Sequence, residues 1–225
     1  NNMKNRKIVI TGASKGLGKA ISFGLACNGV KVIMISRSKD GLIENSNLLK
    51  KEGYESEYCA LDINNHKKLK KNVYEILNKT DINILVNAAG FTSGLDSEDY
   101  PEKLWDLTLN TNLKSAFILS QLIAKNLILK QKRGSIINIT SIAAILSSPQ
   151  NPAYNASKGG LKSLSKALAA DWAKYNIRVN NIAPGYFNTA INSKSWNDKK
   201  LRKLRSSRSL MNRWGSAHEI IGPVI

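Results

Sequence analysis

The sequence predicts a single α/β domain over residues 1–225, in which a doubly wound parallel β-sheet lies between two layers of helices. Two observations predict this fold class. Short apolar segments alternate with longer amphipathic segments, which is typical of strand–helix–strand units. No internal repeat or low-complexity linker divides the chain, and 225 residues are enough to bury the core of one such domain. Right-handed crossovers then place the strands in one parallel sheet with helices on both faces.

Each strand is predicted where a short apolar run is bounded by turn-forming or charged residues. The first run, KIVIT, leads directly into a glycine-rich turn. The six predicted strands cover residues 7–11, 30–36, 54–61, 83–90, 134–141 and 177–185.

Each helix is predicted where apolar or small residues recur every three or four positions. The first helix carries such residues from Leu17 to Leu25, and a long helix after Pro101 carries them on one side over 113–127. The other predicted helices cover residues 39–52, 65–79 and 153–175.

Residues 186–214 interrupt this alternation, because they are polar and basic and contain no clear strand. They follow the sixth predicted strand, at the end of the sheet where ligands of such folds bind. We therefore predict a mobile lid over the ligand site, and the alternative is an ordinary surface segment with no role in ligand binding. A helix is predicted to begin at Ser216, since Ser216 and Glu219 have the spacing of a capping box.

The chain is strongly basic, with 34 Lys and Arg against 16 Asp and Glu and a net charge of +18. Positive charge attracts nucleic acid, anionic membranes or acidic substrates. Most of the charge of this chain is better explained by lysine-rich protein faces exposed to solvent. The sequence contains no helix-turn-helix, zinc-ligand spacing or aromatic-basic RNA motif, so we expect no nucleic-acid partner.

The cysteines and the apolar segments indicate the compartment. Cys27 and Cys59 alone make neither a disulfide framework nor a metal site, so no metal is predicted. There is no run of 18 or more apolar residues and no apolar signal segment at the N-terminus. We therefore expect no membrane partner, and a reducing cytoplasm is the predicted location.

The glycine-rich turn TGASKGLG lies at residues 11–18, between the first strand and the first helix. Glycines there permit a tight turn and a close approach of the backbone to a pyrophosphate, while the helix N-terminus supplies N–H donors. The spacing G-x-x-x-G-x-G differs from the common G-x-G-x-x-G fingerprint, and a plain turn is the alternative. The predicted dinucleotide contacts in this turn are Gly12, Ser14, Lys15, Gly16, Leu17 and Gly18.

The ends of the next strands predict which dinucleotide binds. Ser36 and Arg37 end the second strand, where NAD-binding proteins place an acidic residue for the ribose 2′-hydroxyl. Lys15 and Arg37 without a carboxylate suit a 2′-phosphate, so NADP(H) is predicted over NAD(H), with a plain surface arginine as the alternative. Asp62, followed by Ile63, closes the third strand and can accept from the adenine amino group. Small residues at the end of the fourth strand leave room for a ribose, and the contacts predicted there are Asn87, Ala88 and Gly90.

A tyrosine and a lysine, Tyr154 and Lys158, are predicted one helical turn apart on one face. The ordinary pKa of tyrosine, about 10, is too high for acid–base work near neutrality, and a nearby ammonium lowers it. Ser141, which ends the fifth strand, can donate to a carbonyl oxygen and polarise it. Alone, the pair fits a structural tyrosine and a solvated lysine equally well.

Together these motifs resemble those of the short-chain dehydrogenase/reductase family. The resemblance runs from about residue 5 to residue 225 and rests on motifs in the family's order and spacing. NAAG stands where NNAG is commoner, a mild departure that keeps Asn87 and Gly90. The motifs are TGASKGLG, Asp62, NAAG at 87–90, Asn112 in LNTNL, Ser141, YNASK and PGYFNT at 184–189.

The resemblance implies a Rossmann-like fold that binds NAD(H) or NADP(H), and it implies roles for individual residues. Tyr154 is implied as the acid–base, Lys158 as the residue that lowers its pKa and binds the ribose, and Ser141 as the carbonyl orienter. Asn112 is implied to hold a proton-relay water. The implied nicotinamide contacts are Pro184, Gly185 and Thr189.

The resemblance also implies elements beyond this sequence. Family members continue from the helix that contains Ile225 to a final strand and a VDGG-like tail, which supply a sheet edge and part of a dimer surface. We therefore expect the sheet formed by residues 1–225 to lack that strand, with consequences for stability and activity. A homo-oligomer, tetramer or dimer, is expected through the helices near 101–130 and 153–175.

The substrate class is predicted from ALAADWAKYNIRVNNIAPGYFNT and RWGSAHEI, which resemble the gluconate 5-dehydrogenase and sugar-acid or polyol branch. Within 194–213 the lid carries eight cations against Asp198 alone, which favours an anionic substrate, with a solvated helix face as the alternative. The 3-oxoacyl reductase of an acidic carrier protein is an alternative enzyme, and an NADP-sensing regulatory protein is the non-enzyme alternative. The eight cations are Lys194, Lys199, Lys200, Arg202, Lys203, Arg205, Arg208 and Arg213.

Overall fold

The computed structural model describes residues 3, 4 and 6–225, and these form one six-stranded parallel sheet with the order β3-β2-β1-β4-β5-β6. The chain reverses its direction of travel across the sheet between β1 and β4, which lie side by side. In such sheets a crevice opens at that point, outside the carboxyl ends of the strands. The strands are β1 (Lys7–Thr11), β2 (Lys31–Ser36), β3 (Ser56–Ala60), β4 (Ile84–Asn87), β5 (Gly134–Ile139) and β6 (Ile177–Ile182).

The helices cover both faces of the sheet, as predicted. The polar segment after β6 also forms two short helices, α7 and α8. The helices are α1 (Gly16–Cys27), α2 (Lys39–Lys51), α3 (His66–Lys79), α4 (Glu102–Leu109), α5 (Ser115–Leu129), α6 (Pro152–Trp172), α7 (Ser193–Asn197), α8 (Lys199–Ser207) and α9 (Ile221–Val224).

Alternation along the strands divides the core between the two faces. In β1, Ile8 and Ile10 point to the layer that contains α1 and α2, while Val9 points to the layer that contains α3 and α5. Successive side chains of a strand point to opposite faces, so a strand covered on both sides is apolar at every position. This is why the central strands β1, β2 and β4 could be recognised as continuous apolar runs.

Four strands end earlier than predicted, because their last residues leave the sheet to form a cleft. The fourth strand ends at Asn87 rather than at residue 90, since the N–H groups of Ala88 and Ala89 donate to Thr11 Oγ1, each at 3.1 Å. The third, fifth and sixth strands likewise end at Ala60, Ile139 and Ile182.

The long helix predicted after Pro101 is interrupted by a π-helical turn at Asn110–Lys114, between α4 and α5. Such turns insert one extra residue into a helix and occur frequently at functional sites. Ser115 Oγ lies 2.8 Å from the carbonyl oxygen of Asn110 and 3.0 Å from that of Ile63, and its one hydroxyl hydrogen is shared between them, which ties the turn to the loop after β3.

Aromatic packing holds the predicted lid, residues 186–214, together internally. The ring centroid of Trp214, a buried residue, lies 5.4 Å from those of both Tyr186 and Trp196. A single β-bridge joins Phe187 to Gly215. The capping box predicted at Ser216 and Glu219 is present, and the N–H of Ser216 donates to the Glu219 carboxylate at 2.8 Å. None of the described helices combines the length and apolarity that a membrane-spanning segment requires.

Candidate active site

A cleft of about 390 Å³ opens at the carboxyl ends of β1, β2, β4 and β5. It lies at the reversal point between β1 and β4, where parallel α/β sheets bind their ligands. The structure brings together in its lining nearly every residue that the sequence singles out. These are Gly12, Ser14, Lys15, Gly16, Leu17, Gly18, Ser36, Arg37, Asp62, Ile63, Ala88, Gly90, Ser141, Tyr154, Lys158, Pro184, Gly185 and Thr189.

The glycine-rich turn packs against itself and against the end of β4. Gly12 adopts a left-handed conformation with φ +68°, and a Cβ atom at Gly18 would lie 2.4 Å from the carbonyl oxygen of Gly12. No side chain of the described residues caps the first turn of α1, so its N–H groups face the cleft free of side-chain partners. Free helix N–H groups and the positive end of the helix dipole bind phosphate. The turn therefore fits a pyrophosphate.

One end of the cleft is polar and cationic. The hydroxyls of Ser14 and Ser36 lie 2.8 Å apart, which links the glycine-rich turn to the end of β2. Lys15 and Arg37 line the cleft at the same end, and Asp62 is the one carboxylate among the described lining residues. Its Oδ1 already accepts the N–H of Asn64 at 3.0 Å. Two hydroxyls and two cations suit a phosphate ester better than a free ribose hydroxyl.

Asn87, predicted as a cofactor contact, lies behind the wall of the cleft rather than in its lining. The residue is buried, and its amide nitrogen donates to Asn138 Oδ1 at 2.8 Å and to Ser120 Oγ at 3.2 Å. Asn138 in turn donates to Ser165 Oγ at 2.8 Å. This buried polar chain ties β4 to β5 and α6, so Asn87 supports the wall that Ala88 and Gly90 present.

Asn112 also lies behind the lining. Its Oδ1 accepts the N–H of Phe91 at 2.8 Å, and its Nδ2 donates to the carbonyl oxygen of Phe91 at 2.8 Å and to Ser157 Oγ at 2.9 Å. A side-chain amide has two N–H donors, and both are engaged. The side chain thus clamps the loop after β4 to the π-helical turn. The water-holding role implied by the family resemblance stays a prediction.

Lys158 is almost completely buried, with 4% of its surface exposed, and its Nζ donates to the carbonyl oxygen of Ile139 at 2.8 Å. Burial lowers the pKa of Lys158 to about 8, because the ammonium loses its hydration. Nζ lies 5.8 Å from the centroid of the Tyr154 ring, so the two side chains share one helix face as predicted.

The pKa of Tyr154 moves in the opposite direction to the sequence prediction. Burial raises the pKa of this phenol above its ordinary value, and a hydrogen bond with Ser141 counteracts the increase only in part. The physical reason is desolvation, which penalises the phenolate. The phenol is therefore protonated near neutral pH, the state in which it can donate a proton.

Ser141 is oriented by the short helical turn at Ile142–Ala144. Its Oγ accepts the N–H of Ala143 at 3.1 Å, which occupies an acceptor site and leaves the hydroxyl hydrogen to donate. Ser141 and Tyr154 line the same cleft, so two hydroxyl groups are available to one carbonyl oxygen.

A family model described as short chain dehydrogenase matches residues 6–200. The chain belongs to the short-chain dehydrogenase family. As a member it is an NAD(P)-dependent dehydrogenase/reductase that acts on CH–OH groups, which overturns the alternative of a non-catalytic NADP sensor.

Similar proteins cover most of the chain. A 2-dehydro-3-deoxy-D-gluconate 5-dehydrogenase of Bacillus subtilis (strain 168) is 36% identical over 223 residues, which are 99% of this chain and 87% of that protein. A 3-oxoacyl-(acyl-carrier-protein) reductase of Thermotoga maritima is 33% identical over 221 residues, 97% of this chain and 88% of that protein. The crystal structure of a gluconate 5-dehydrogenase from Burkholderia cenocepacia J2315, in complex with NADP and tartrate, matches with a TM-score of 0.94 at 29% identity, covering 99% of this chain and 88% of that one.

The predicted lid, residues 186–214, contributes less charge to the cleft than the sequence suggests. Among the described residues, none of its eight cations lines the cleft. Arg213 pairs with Glu219, while the guanidinium groups of Arg202 and Arg205 lie over Trp196 at 5.2 Å and over Tyr186 at 5.0 Å. Cations that stack on aromatic rings stabilise the lid itself.

Several site residues were not predicted. Thr11 fixes the start of the loop after β4, and Thr92 lines the cleft at the reacting end. Asn45 donates to the carbonyl oxygens of Ala13 and Ser14 at 3.0 and 3.2 Å and thereby holds the glycine-rich turn. The position of Thr11 directly after an apolar strand was a usable signal. No local signal pointed to Asn45, because its partners lie 31 and 32 residues away in sequence.

Proposed function

We propose that this dehydrogenase transfers hydride reversibly between NADP(H) and a carbonyl or secondary alcohol of a sugar acid or polyol, as a gluconate 5-dehydrogenase does. The observation that carries the proposal is the composition of one cleft. A phosphate-binding turn and two cations lie at one end, and Ser141, Tyr154 and Lys158 lie at the other.

The cationic end supports NADP(H) over NAD(H). The residues that would hold the 2′-phosphate are Ser14, Ser36, Lys15 and Arg37, and the uncapped first turn of α1 would hold the pyrophosphate. When bound, the nicotinamide group supplies or accepts the hydride. Pro184, Gly185 and Thr189 border the cleft and would orient that group.

At the reacting end, Tyr154 Oη donates a proton to the carbonyl oxygen during reduction, and in its phenolate form it accepts the proton of the substrate hydroxyl during oxidation. The raised pKa of Tyr154 favours the donor state near neutrality, and the nearby ammonium of Lys158 stabilises the phenolate that remains after the proton is donated. Ser141 would donate its hydroxyl hydrogen to the same carbonyl oxygen and fix the orientation of the substrate. Tyr154 thus supplies the acid, Lys158 supplies the charge, and Ser141 aligns the substrate.

The substrate class rests on similarity to proteins named as gluconate and 2-dehydro-3-deoxy-D-gluconate 5-dehydrogenases. The second candidate is reduction of a 3-oxoacyl thioester, which the Thermotoga maritima relative supports. The exposed cations of the lid would suit an acidic carrier protein. Sequence similarity favours the sugar acid.

The compartment and the assembly are part of the proposal. Cys27 is exposed and Cys59 is half-buried, and both are free thiols, which suits a reducing cytoplasm. Trp105 of α4 and Leu129 of α5 expose 37% and 73% of their surface, which supports a homo-oligomer that uses these helices.

The proposal is tested with Tyr154→Phe and a panel of substrates. The wild type is assayed for oxidation of D-gluconate and 2-dehydro-3-deoxy-D-gluconate and for reduction of a 3-oxoacyl thioester, each with NADP(H) and NAD(H). We expect NADP-dependent turnover of a sugar acid, and a loss of at least about a hundredfold in kcat for Tyr154→Phe with NADPH affinity retained. Full activity of the variant would refute the role of Tyr154, and turnover of the thioester alone would favour the second candidate.

A further inference from the structure

A hydrogen bond between Thr92 and Asn151 joins the loop after β4 to the start of α6. Thr92 Oγ1 donates to Asn151 Oδ1 at 2.8 Å. Thr92 lines the cleft together with Ser141 and Tyr154, and α6, which begins directly after Asn151, carries Tyr154. The hydroxyl of Thr92 is therefore fixed to the element that carries the acid–base.

The direction of this hydrogen bond follows from the other contact of Asn151. Its Nδ2 donates to the carbonyl oxygen of Pro149 at 3.1 Å, and a carbonyl oxygen can only accept. The amide must then turn its oxygen toward Thr92, whose hydroxyl has a single hydrogen. That hydrogen is committed to Asn151, so Thr92 presents only lone pairs to the cleft.

The loop that carries Thr92 is held on both sides. Asn112 clamps the N–H and the carbonyl oxygen of the preceding residue, Phe91. Farther along the loop, the N–H of Leu95 donates to the carbonyl oxygen of Gln150 at 2.8 Å, and Gln150 Nε2 donates to Asp96 Oδ1 at 2.9 Å. A hydroxyl held this way cannot turn to suit another partner, and a preorganised group discriminates between ligands more sharply than a mobile one.

We propose that Thr92 determines specificity by accepting a hydrogen bond from a substrate hydroxyl group next to the reacting carbon. The inference rests on the proposed function and narrows it to substrates that carry a second hydroxyl group. A carboxylate or an additional carbonyl at that position has no hydrogen to donate and would place its lone pairs against those of Thr92. An acyl chain would gain no hydrogen bond there. A site built for one hydrogen-bonding partner rejects analogues that lack it.

The test compares Thr92→Val, which removes the lone pairs at constant shape, with Thr92→Ser, which keeps the hydroxyl. The probes are D-gluconate and 2-dehydro-3-deoxy-D-gluconate, oxidised with NADP⁺. For the acid that the wild type oxidises, we expect Thr92→Val to raise KM roughly tenfold with kcat nearly retained, because a hydrogen bond away from the reacting bond contributes to ground state and transition state alike. Thr92→Ser should restore KM to within about twofold. The dissociation constant for NADPH should stay at the wild-type value in both variants.

The outcomes separate this inference from the proposed function. Oxidation of a sugar acid by the wild type with the same KM in Thr92→Val overturns the role of Thr92 alone. An equal increase in KM for the sugar acid in Thr92→Val and Thr92→Ser, or a fall in NADPH affinity, would indicate a structural role for Thr92. Either result also overturns the proposed role in specificity. A wild type that turns over only the 3-oxoacyl thioester overturns both the proposed function and the inference.

Discussion

Lys158 Nζ and the carbonyl oxygen of Ile139 form a 2.8 Å hydrogen bond inside the protein, at the carboxyl end of β5. Among the described residues no carboxylate lies within ion-pair distance of this ammonium. One hydrogen bond to a neutral group does not replace the hydration of a charge, which is why burial lowers the pKa of Lys158. The fold thus keeps a destabilising cation next to Tyr154.

Replacing this cation should make the protein more stable and less active. We expect Lys158→Met to raise the free energy of unfolding at pH 7 by roughly 1–3 kcal/mol, because an apolar side chain of similar length removes the desolvated charge. Oxidoreductase activity should fall by at least about a hundredfold. Urea unfolding and NADPH-linked assays measure the two effects. Lys166→Met, an exposed lysine of the same helix, is the control and should change neither.

The same substitution predicts a pH dependence of stability. The pKa of Lys158 is about 8 in the folded protein and about 10.5 in the unfolded chain. Between these values the unfolded chain binds more protons, so the free energy of unfolding rises with pH in the wild type. Lys158→Met should lack that rise, and the difference between the two proteins should shrink from pH 8 to pH 10.5. Parallel stability profiles would show that Lys158 has an ordinary pKa.

The second prediction separates backbone strain from close packing at the glycine-rich turn. Gly12 and Gly53 both have positive φ, at +68° and +82°, but only Gly12 is crowded. A Cβ at Gly12 would lie 2.8 Å from the Cα of Ala89, whereas at Gly53 it would meet nothing within 4 Å. We expect Gly53→Ala to lower the free energy of unfolding by about 1 kcal/mol and Gly12→Ala to lower it by roughly 2–4 kcal/mol. NADPH affinity should be lost in Gly12→Ala alone.

Denaturant unfolding and fluorescence titration with NADPH provide these measurements. Equal costs for the two substitutions would mean that the approach of Gly12 to Ala89 has no energetic consequence. Retained NADPH affinity in Gly12→Ala would argue against pyrophosphate binding at this turn.

The third prediction concerns cofactor choice. Because Arg37 lines the cationic end of the cleft, we expect Arg37→Ala to raise KM for NADPH by about ten- to a hundredfold, the loss of one hydrogen bond to a charged group. KM for NADH should change little, since NADH lacks the 2′-phosphate. Arg208→Ala removes an exposed lid arginine that does not line the cleft, and it should leave both values unchanged. An equal rise in KM for NADPH and NADH in Arg37→Ala would contradict the assignment of Arg37 to the 2′-phosphate.

The sequence by itself determined the fold class and the position of the cleft. Parallel strands place their carboxyl ends at one edge of the sheet, so residues that follow different strands converge whatever their separation in the chain. Gly12, Asp62, Gly90 and Ser141 could be assigned to one site for that reason, and all line the cleft.

Only the tertiary structure decided which residues lie behind the lining of the cleft and in which direction the pKa of each titratable group is shifted. Asn112 and Phe91 are 21 residues apart, and Asn138 and Ser165 are 27 residues apart, so no local pattern reveals these hydrogen bonds. The sequence also predicted a lowered pKa for Tyr154, since it shows a lysine one turn away but not how deeply the phenol is buried. Spacing along the chain fixes which side chains can meet, whereas solvation depends on every element packed around them.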